Sequence, residues 1–515
     1  MAAIPDTVAC HPEEIAPEAL PRVKSYCAEP PSAGTLIGRA APPEAASGAT
    51  QPPRAEQSIV HRLIGSMHQN LAGNPVLSML ASGASVAMAL YVAQAGLGYL
   101  LNVCLGRWLD EVHFGRYGMA MSLSLILASV AGLGLPVLSL RFISQYVSTG
   151  KPALARGAAR YAWRRTLLAG TVAALAAAAV VLAGSALGWM QGNPTLLLGI
   201  ALTPFLALMQ VQAEQLRALH RLVAAYLPLY VLRPAIVLAI CLLLYLSFGG
   251  DKGRLTSVMV LAVSMGGSAV LLIGQNIVFR RLMPSAMRDA EPVYDRSHWR
   301  SVAWPLWIIT AAVTFQGQID VFLVGSLLGD ETAGLYFAAA RTAALAGFVL
   351  LGVNAIAAPM ISALYHQGRM AELQRLVSCV AQLIFWPTTL TVIALVFFGD
   401  KVLGVFGQRY VAAQNLLIIL AIAQAVNALA GSVGYLLQMT GHQKAVARVF
   451  LISVILNILL NALLIPYFGM YGAAIATTTS MVAWNVWLYV LVRSRLNVDP
   501  SVFGLLHAFP ARQEA

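Results

Sequence analysis

Long apolar runs, each about as long as a membrane is thick, limit the folds that this chain can adopt. Twelve stretches of roughly twenty residues are almost free of charged side chains. An α-helix rises about 1.5 Å per residue, so twenty residues cross about 30 Å of hydrocarbon. At 59% hydrophobic and 10% charged residues, the chain is far from the roughly 25% charge of soluble domains. The sequence predicts an all-α polytopic membrane protein with twelve transmembrane helices. The predicted spans cover residues 78–104, 117–139, 166–189, 195–213, 224–248, 256–279, 301–326, 335–361, 377–399, 413–438, 449–467 and 471–492.

Basic residues are distributed unevenly between the two sets of loops that these spans create. With the N-terminus inside, the internal loops and the C-terminal tail hold twenty lysines and arginines, and the external loops hold six. Because basic residues concentrate in the cytoplasmic loops of membrane proteins, the bias supports twelve spans with both termini in the cytoplasm. The net charge of +12 is therefore a topology signal and does not predict nucleic-acid binding.

The first 57 residues differ in composition from the spans. They contain ten of the 25 prolines, and such a segment is expected to be disordered. Apolar residues repeat every four positions over 58–74, which predicts an interfacial helix or an extension of the first span. The five cysteines are scattered and no histidine cluster accompanies them, so no metal site is predicted.

Two stretches of the sequence repeat each other. The turn Gly106–Tyr117 matches the turn Gly325–Tyr336 without a gap, at an offset of 219 residues. Six predicted spans separate the two turns, so the halves have the same orientation and form a parallel repeat about a pseudo-two-fold axis. The predicted domains are the tail 1–57, the possible interfacial helix 58–74, a six-helix lobe 75–279, a cytoplasmic linker 280–300, a second six-helix lobe 301–495 and a cytoplasmic tail 496–515.

Three stretches carry a resemblance to a known family. The turn LGRWLDEVHFGRYGMA (105–120) resembles the first external turn of the polysaccharide-transporter, or O-antigen flippase, family. QIDVFLVGSLLGDETAGLYFAAAR (318–341) is similar to its seventh and eighth helices. The stretch 439–476, with LIPYFGMYGAAIA at its end, resembles the final helices of lipid-linked-oligosaccharide flippases. The likeness covers about 80–495 and extends more weakly to multidrug and toxic compound extrusion antiporters and to lipid II flippases.

The resemblance implies a two-lobed exporter of the bacterial inner membrane. Its substrate would be an undecaprenyl-diphosphate-linked oligosaccharide for exopolysaccharide, capsule or O-antigen assembly, moved by alternating access. The lipid bilayer, polysaccharide polymerases and glycosyltransferases are the expected partners. No cofactor is expected, and a proton or sodium gradient would supply any energy needed. No nucleotide-binding GxxxxGK[ST] motif and no paired membrane carboxylates occur, so the sequence predicts a transporter and not an enzyme.

Arg233 is a charged residue near the middle of the fifth predicted span. The predicted spans of the first half contain no acidic residue that could pair with it. Pro234 frees a backbone carbonyl, so a kink is expected there. Because a guanidinium stays charged and binds phosphate in a bidentate manner, Arg233 is a candidate for the substrate diphosphate. The alternative is that Arg233 bonds the carbonyls freed at the kink.

Asp320 and Arg341 lie on either side of the turn near Asp330, at similar depth. This placement favours an ion pair that joins the two helices of the hairpin. The alternative makes Asp320 a proton or sodium site coupled to transport, because a charge inside the bilayer marks a functional position. Gln316 lies one turn from Asp320, so this face is expected to line the cavity with Arg341.

Asn457 and Asn461 are spaced by four residues on the eleventh predicted span. Amide side chains at this spacing either join helices or contact sugar hydroxyl groups in the cavity.

Three other functions remain open from the sequence. A drug antiporter of the extrusion type requires cavity carboxylates, whereas the span cores contain one carboxylate and two arginines. A lipid II flippase is chemically close, and its relatives often have fourteen spans. A transport-inactive scaffold that recruits glycosyltransferases would depend on the tail 1–57.

Overall fold

The computed structural model describes residues 75–187 and 193–504, and all regular elements within these ranges are helical. The tail 1–57 and the interfacial helix predicted over 58–74 lie outside the described residues. The first-half helices are α1 (Pro75–Trp108), α2 (Glu111–Ala131), α3 (Leu135–Ser148), α4 (Pro152–Ala186), α5 (Pro194–Ala218), α6 (Leu222–Leu227), α7 (Arg233–Ser247), α8 (Ser257–Leu282) and α9 (Ser285–Asp289).

The remaining helices belong to the second half. They are α10 (Arg296–Gln316), α11 (Ile319–Leu328), α12 (Asp330–Ala344), α13 (Phe348–His366), α14 (Met370–Gly404), α15 (Gln414–Ala430), α16 (Val433–Met439) and α17 (Gln443–Leu496).

Local sequence signals set several of the helix starts. Asp110 caps α2 by accepting a hydrogen bond from the His113 amide at 2.6 Å. Asn193 caps α5 and Thr256 caps α8 in the same way. These side chains satisfy amides that have no partner inside the helix.

The described helices agree with a polytopic membrane protein. Ten are long and apolar enough to cross a membrane, and α10 with α11, bent by 44°, can form an eleventh span. The 54-residue helix α17 is interrupted at Gly469, whose φ of 56° and ψ of −139° are not helical. This break separates the predicted spans 449–467 and 471–492. The count of twelve stays a prediction.

Helices α2 and α12 bring the two halves together through a pair of glycines. An ideal Cβ at Gly115 would lie 1.8 Å from the carbonyl oxygen of Asp330. A Cβ at Gly334 would lie 2.6 Å from the carbonyl oxygen of Glu111. We call this end of the bundle, which holds the turns Gly106–Tyr117 and Gly325–Tyr336, the turn end. A two-fold relation would place equivalent residues such as Gly115 and Gly334 together near its axis; the repeat itself stays a prediction.

The segments predicted as linker and tail pack against the helices. The amide of Val293 donates to the carbonyl of Ala153 at 3.1 Å, which holds the linker 280–300 on α4. Beyond α17, the side chain of Gln374 on α14 donates to the carbonyl of Asp499 at 2.9 Å. The described beginning of the tail predicted over 496–515 is therefore part of the packed protein.

Candidate functional site

The segment before Arg233 has an unusual backbone. Residues Pro228–Leu232 form a π-helical turn, and the amide of Arg233 bonds to the carbonyl of Pro228, five residues back. The predicted distortion beside Pro234 is therefore a widened turn that directly precedes α7. π-helical turns are rare in proteins, and many of those that occur lie at functional sites. The turn before Arg233 therefore supports Arg233 as a candidate functional residue.

The Arg233 side chain has only neutral partners. Its Nε donates to Ser268 Oγ on α8 at 3.2 Å, and its Nη2 lies 3.8 Å from Met121 Sδ on α2. Among the described residues, no carboxylate lies within ion-pair distance of Arg233. A partly buried guanidinium in these surroundings is a candidate for binding an anion.

One part of the sequence prediction for the first half is wrong. Helix α5 continues to Ala218, so Glu214 lies inside a candidate span. The sequence-predicted span ended at 213, five residues before the end of α5, and so left Glu214 out. Glu214 is paired with Arg217 at 3.3 Å and accepts a hydrogen bond from the Tyr226 hydroxyl at 3.4 Å. It does not neutralise Arg233.

Arg341 is bound by an amide and an aromatic ring. Its Nη2 donates to Gln318 Oε1 at 2.7 Å, and its guanidinium carbon lies 4.6 Å from the centre of the Phe337 ring. Ser122 of α2 donates to the same Gln318 oxygen at 3.1 Å. In the predicted repeat, Ser122 is the counterpart of Arg341, so Gln318 links two positions that this repeat would make equivalent.

The predicted ion pair between Asp320 and Arg341 is wrong. The chain leaves helical geometry between α10 and α11, at Gly317 and Gln318, and the two helices meet at 44°. At this break Gln318 takes the position beside Arg341 on α12, whereas Asp320, two residues later, bonds to Tyr336 of α12 and to Asn461 of α17. Matched depth along two straight helices could not reveal the break.

The two arginines lie against neighbouring positions of α2. Arg233 Nη2 lies 3.8 Å from Met121 Sδ, and Arg341 is linked to Ser122 through the side-chain oxygen of Gln318. Tyr117, one turn before Met121 on α2, is 4% exposed, and its ring lies edge-on to Phe337, with ring centres 6.2 Å apart. A guanidinium from each half therefore lies beside the Tyr117–Ser122 segment of α2. We call Arg233, Arg341, Tyr117 and Gln318 the arginine site.

Asp320 lies in a separate, buried polar cluster of the second half. Its Oδ1 accepts a hydrogen bond from Asn461 Nδ2 at 3.1 Å. Its Oδ2 accepts from the Tyr336 hydroxyl at 3.2 Å and from the Thr477 hydroxyl. Asn457 joins the cluster, since its Nδ2 donates to Thr477 at 3.2 Å. We call these five residues the Asp320 cluster.

The Asp320 cluster has more acceptors than donors. Asp320 is 6% exposed and has no cationic partner among the described residues. Asn461 Oδ1 is buried and has no hydrogen-bond partner within residues 75–187 and 193–504. A carboxylate beside a free amide oxygen and a hydroxyl group offers the oxygen ligands that hard cations prefer, and it can also take up a proton.

Sequence reasoning found some of these residues and missed others. Asn457 and Asn461 were predicted from their spacing, but not their contact with Asp320. Thr477 follows the break at Gly469, 157 positions after Asp320, so no periodic pattern could connect the two. Gln316 is 5% exposed, and neither atom of its amide group has a hydrogen-bond partner in the described chain. The break after it places Gln318, not Gln316, beside Arg341.

Models of two known protein families match most of the membrane domain. A family model described as polysaccharide biosynthesis protein matches residues 80–365, more than half of the chain. A second family model, MatE, matches residues 305–463. Both the predicted family resemblance and the all-α polytopic class are confirmed.

Two curated relatives come from Haloferax volcanii. The probable low-salt glycan biosynthesis flippase Agl15 is 27% identical over 235 residues, which cover 45% of this chain and 48% of the relative. The probable flippase AglR is 28% identical over 176 residues, covering 33% of this chain and 36% of the relative. The chain thus spans about half or less of the length of the relatives it matches.

Solved structures share the fold at low identity. An inward-facing multidrug resistance MATE family transporter of the MOP superfamily has a TM-score of 0.66 and 13% identity, covering 80% of this chain and 94% of the other. A MOP superfamily transporter from Pyrococcus furiosus, described as having a binding pocket of reverse polarity, has a TM-score of 0.60 and 14% identity, covering 83% and 97%. These likenesses show that the chain shares the fold of these transporters, and the family match shows that it belongs to the polysaccharide biosynthesis protein family.

Proposed function

We propose that this protein flips an undecaprenyl-diphosphate-linked oligosaccharide across the bacterial inner membrane by alternating access, for exopolysaccharide, capsule or O-antigen assembly. The observation that carries the proposal is the arginine site. One guanidinium from each half lies beside the Tyr117–Ser122 segment of α2, and neither has an ion-pair partner among the described residues. The flippase names of the two Haloferax relatives support the same substrate class.

The chemistry of the arginine site selects for anions. Two guanidiniums can bind the oxygens of a diphosphate in a bidentate manner, and neither loses its charge at any physiological pH. A cationic drug would be repelled at the same place. This polarity favours a lipid-linked glycan over the substrates of an extrusion-type antiporter.

The proposed transport cycle separates the two halves at the turn end and closes them at the opposite end. Helices α2 and α12, which meet at Gly115 and Gly334, also carry Tyr117 and Arg341. Rocking of the halves therefore moves the two arginines relative to each other. The glycan would occupy the space between the halves while the prenyl chain stays in lipid.

The Asp320 cluster is the proposed site of proton or sodium coupling. Asp320 lies two residues after Gln318, which holds Arg341 across the break between α10 and α11. Binding of a cation or proton at Asp320 changes its hydrogen bonds to α12 and α17. Through Gln318, this change reaches the arginine that would hold the diphosphate.

Transport in cells that make the polysaccharide tests the proposal. Arg233→Gln and Arg341→Gln should each leave lipid-linked glycan in the cytoplasmic leaflet, because each removes one of the two phosphate-binding charges. Arg254→Gln is the matched control, since Arg254 is 64% exposed and pairs with Asp251 at the surface. Normal export by both Arg233→Gln and Arg341→Gln at normal protein levels would contradict the assignment.

A further inference from the structure

A basic cavity lies at the opposite end of the first half from the turn end, apart from the arginine site. Its volume is about 600 Å³, within the usual range of ligand pockets. Helices α4, α5, α8 and α9 form its walls, together with Met283 between α8 and α9. Among the described residues its lining contains no acidic side chain and five arginines: Arg156, Arg160, Arg164, Arg280 and Arg288.

The five arginines fall into two groups. Arg156 donates to the carbonyl of Ala290 at 2.6 Å, and Arg288 donates to the carbonyls that end α8, including that of Arg280 at 3.3 Å. Their positions are thus fixed by the backbone. The side chains of Arg160, Arg164 and Arg280 have no hydrogen bond or ion pair among the described residues. Asp289 and Glu291, the acidic residues nearest in sequence, form no ion pair with them.

The interior of the cavity is polar and incompletely satisfied. Gln212 and Gln215 are 0% and 1% exposed, and Gln215 donates to the carbonyl of Ala159 at 3.0 Å. Asn276 donates to Gln212 at 3.5 Å, which extends this amide network toward α8. The indole Nε1 of Trp163 is buried and has no hydrogen-bond partner in the described part of the chain. A buried donor without a partner among unpaired guanidiniums points to an anionic ligand with oxygen acceptors.

The surfaces beside the cavity are apolar and exposed. On α4, Leu168 and Val172 are each 56% exposed, and on α8, Ile273 is 61% and Ile277 47% exposed. A second cavity of about 460 Å³ shares Arg280 and Arg288 with the first and includes Ile277. The positive cavity therefore continues into the faces of helices that would contact lipid chains. A soluble anion would use the charge but not these faces.

We propose that this cavity binds the headgroup of an anionic phospholipid with two phosphates, whose acyl chains lie along α4 and α8. Arg160, Arg164 and Arg280 contact the phosphates, and Trp163 donates to a headgroup oxygen. Basic pockets between membrane helices on the cytoplasmic side bind lipids of this class, and the loop charges predict that this end of the bundle faces the cytoplasm. None of Arg233, Arg341, Tyr117 and Gln318 lines the cavity, so the site is distinct from the arginine site.

Lipid binding to the purified full-length protein tests the proposal. Native mass spectrometry should detect cardiolipin bound more tightly than phosphatidylglycerol, and phosphatidylglycerol more tightly than phosphatidylcholine. Arg160→Gln with Arg164→Gln should lower cardiolipin affinity about thirtyfold, since each arginine near a membrane surface contributes about one kcal/mol. Arg165→Gln is the matched control, because Arg165 is an exposed neighbour that does not line the cavity. Trp163→Phe should weaken binding without removing charge.

Several results would overturn the proposal. Equal affinity for cardiolipin and phosphatidylcholine would show that the cavity does not select anionic lipid. An equal loss of cardiolipin affinity in the Arg160/Arg164 double variant and in Arg165→Gln would show that the cavity arginines do not bind it. Competition by inorganic pyrophosphate as effective as that by cardiolipin would assign the cavity to a soluble anion. Tighter binding of farnesyl diphosphate than of cardiolipin would assign it to prenyl carriers. These measurements do not depend on flippase activity.

Discussion

A methyl group added at Gly115 should force the two halves apart at the turn end. The Cβ of Gly115→Ala would lie 1.8 Å from the backbone carbonyl oxygen of Asp330, against about 3.5 Å for an ordinary contact. Helix α12 must therefore move by about 1.7 Å, and the 2.7 Å ion pair between Arg116 and Asp330 is weakened as well. Overpacking of this kind costs about 1–3 kcal/mol, which changes an equilibrium by about 5- to 150-fold.

Double electron–electron resonance between two spin labels can measure this displacement of α12 from α2. Spin labels at Asp251→Cys and Lys401→Cys, both exposed near the turn end, report on opposite halves after the five native cysteines are replaced. Gly115→Ala should shift the distance distribution to longer values and slow transport. Gly98→Ala is the matched control, since a Cβ there meets no atom within 4 Å. A distribution for Gly115→Ala identical to that of Gly98→Ala would refute the role of this contact in closing the turn end.

Three further predictions concern the second half. The swap Asp320→Arg with Arg341→Asp should fail to restore transport lost in either single variant, because the two side chains do not pair; restored export would contradict the observed geometry. Asp320→Asn and Thr477→Val should both reduce the dependence of transport on a sodium or proton gradient, measured in proteoliposomes, whereas unchanged dependence in both would exclude the Asp320 cluster from coupling. Gln318→Leu removes the acceptor shared by Arg341 and Ser122. Substrate affinity should fall about tenfold, as expected for loss of a hydrogen bond to a charged group worth about 1.5 kcal/mol. Unchanged affinity would show that the hydrogen bond from Arg341 to Gln318 is not needed for substrate binding.

The sequence was most informative where one physical rule acts along a continuous stretch. Hydropathy predicted the helical membrane class, because every backbone group in hydrocarbon must be satisfied within a helix. The unpaired Arg233 could be predicted because a charge stands out in an apolar run. The equivalence of Gly115 and Gly334 followed from aligning the two turns, and the structure brings these glycines into contact.

The sequence was least informative where the chain departs from regular helix. The break at Gly317 and Gln318 redirects Asp320 toward α17, which converts a predicted ion pair into a cluster of neutral partners around a carboxylate. Thr477 enters that cluster only because α17 changes direction at Gly469. The π-helical turn before Arg233 replaces a simple proline kink. Predictions from helical periodicity assume straight helices, so they could not include contacts that depend on these breaks.

A double-mutant cycle on diphosphate binding tests the central claim most directly. The affinity of undecaprenyl diphosphate would be measured for the wild type, Arg233→Gln, Arg341→Gln and the double variant in lipid nanodiscs. If both arginines hold one diphosphate, each single substitution should weaken binding about ten- to hundredfold, as expected for hydrogen bonds to charged groups. The double variant should then lose less than the sum of the single effects, with a coupling of about 0.5–3 kcal/mol. Undiminished binding in either single variant, or strictly additive losses, would contradict a shared phosphate site.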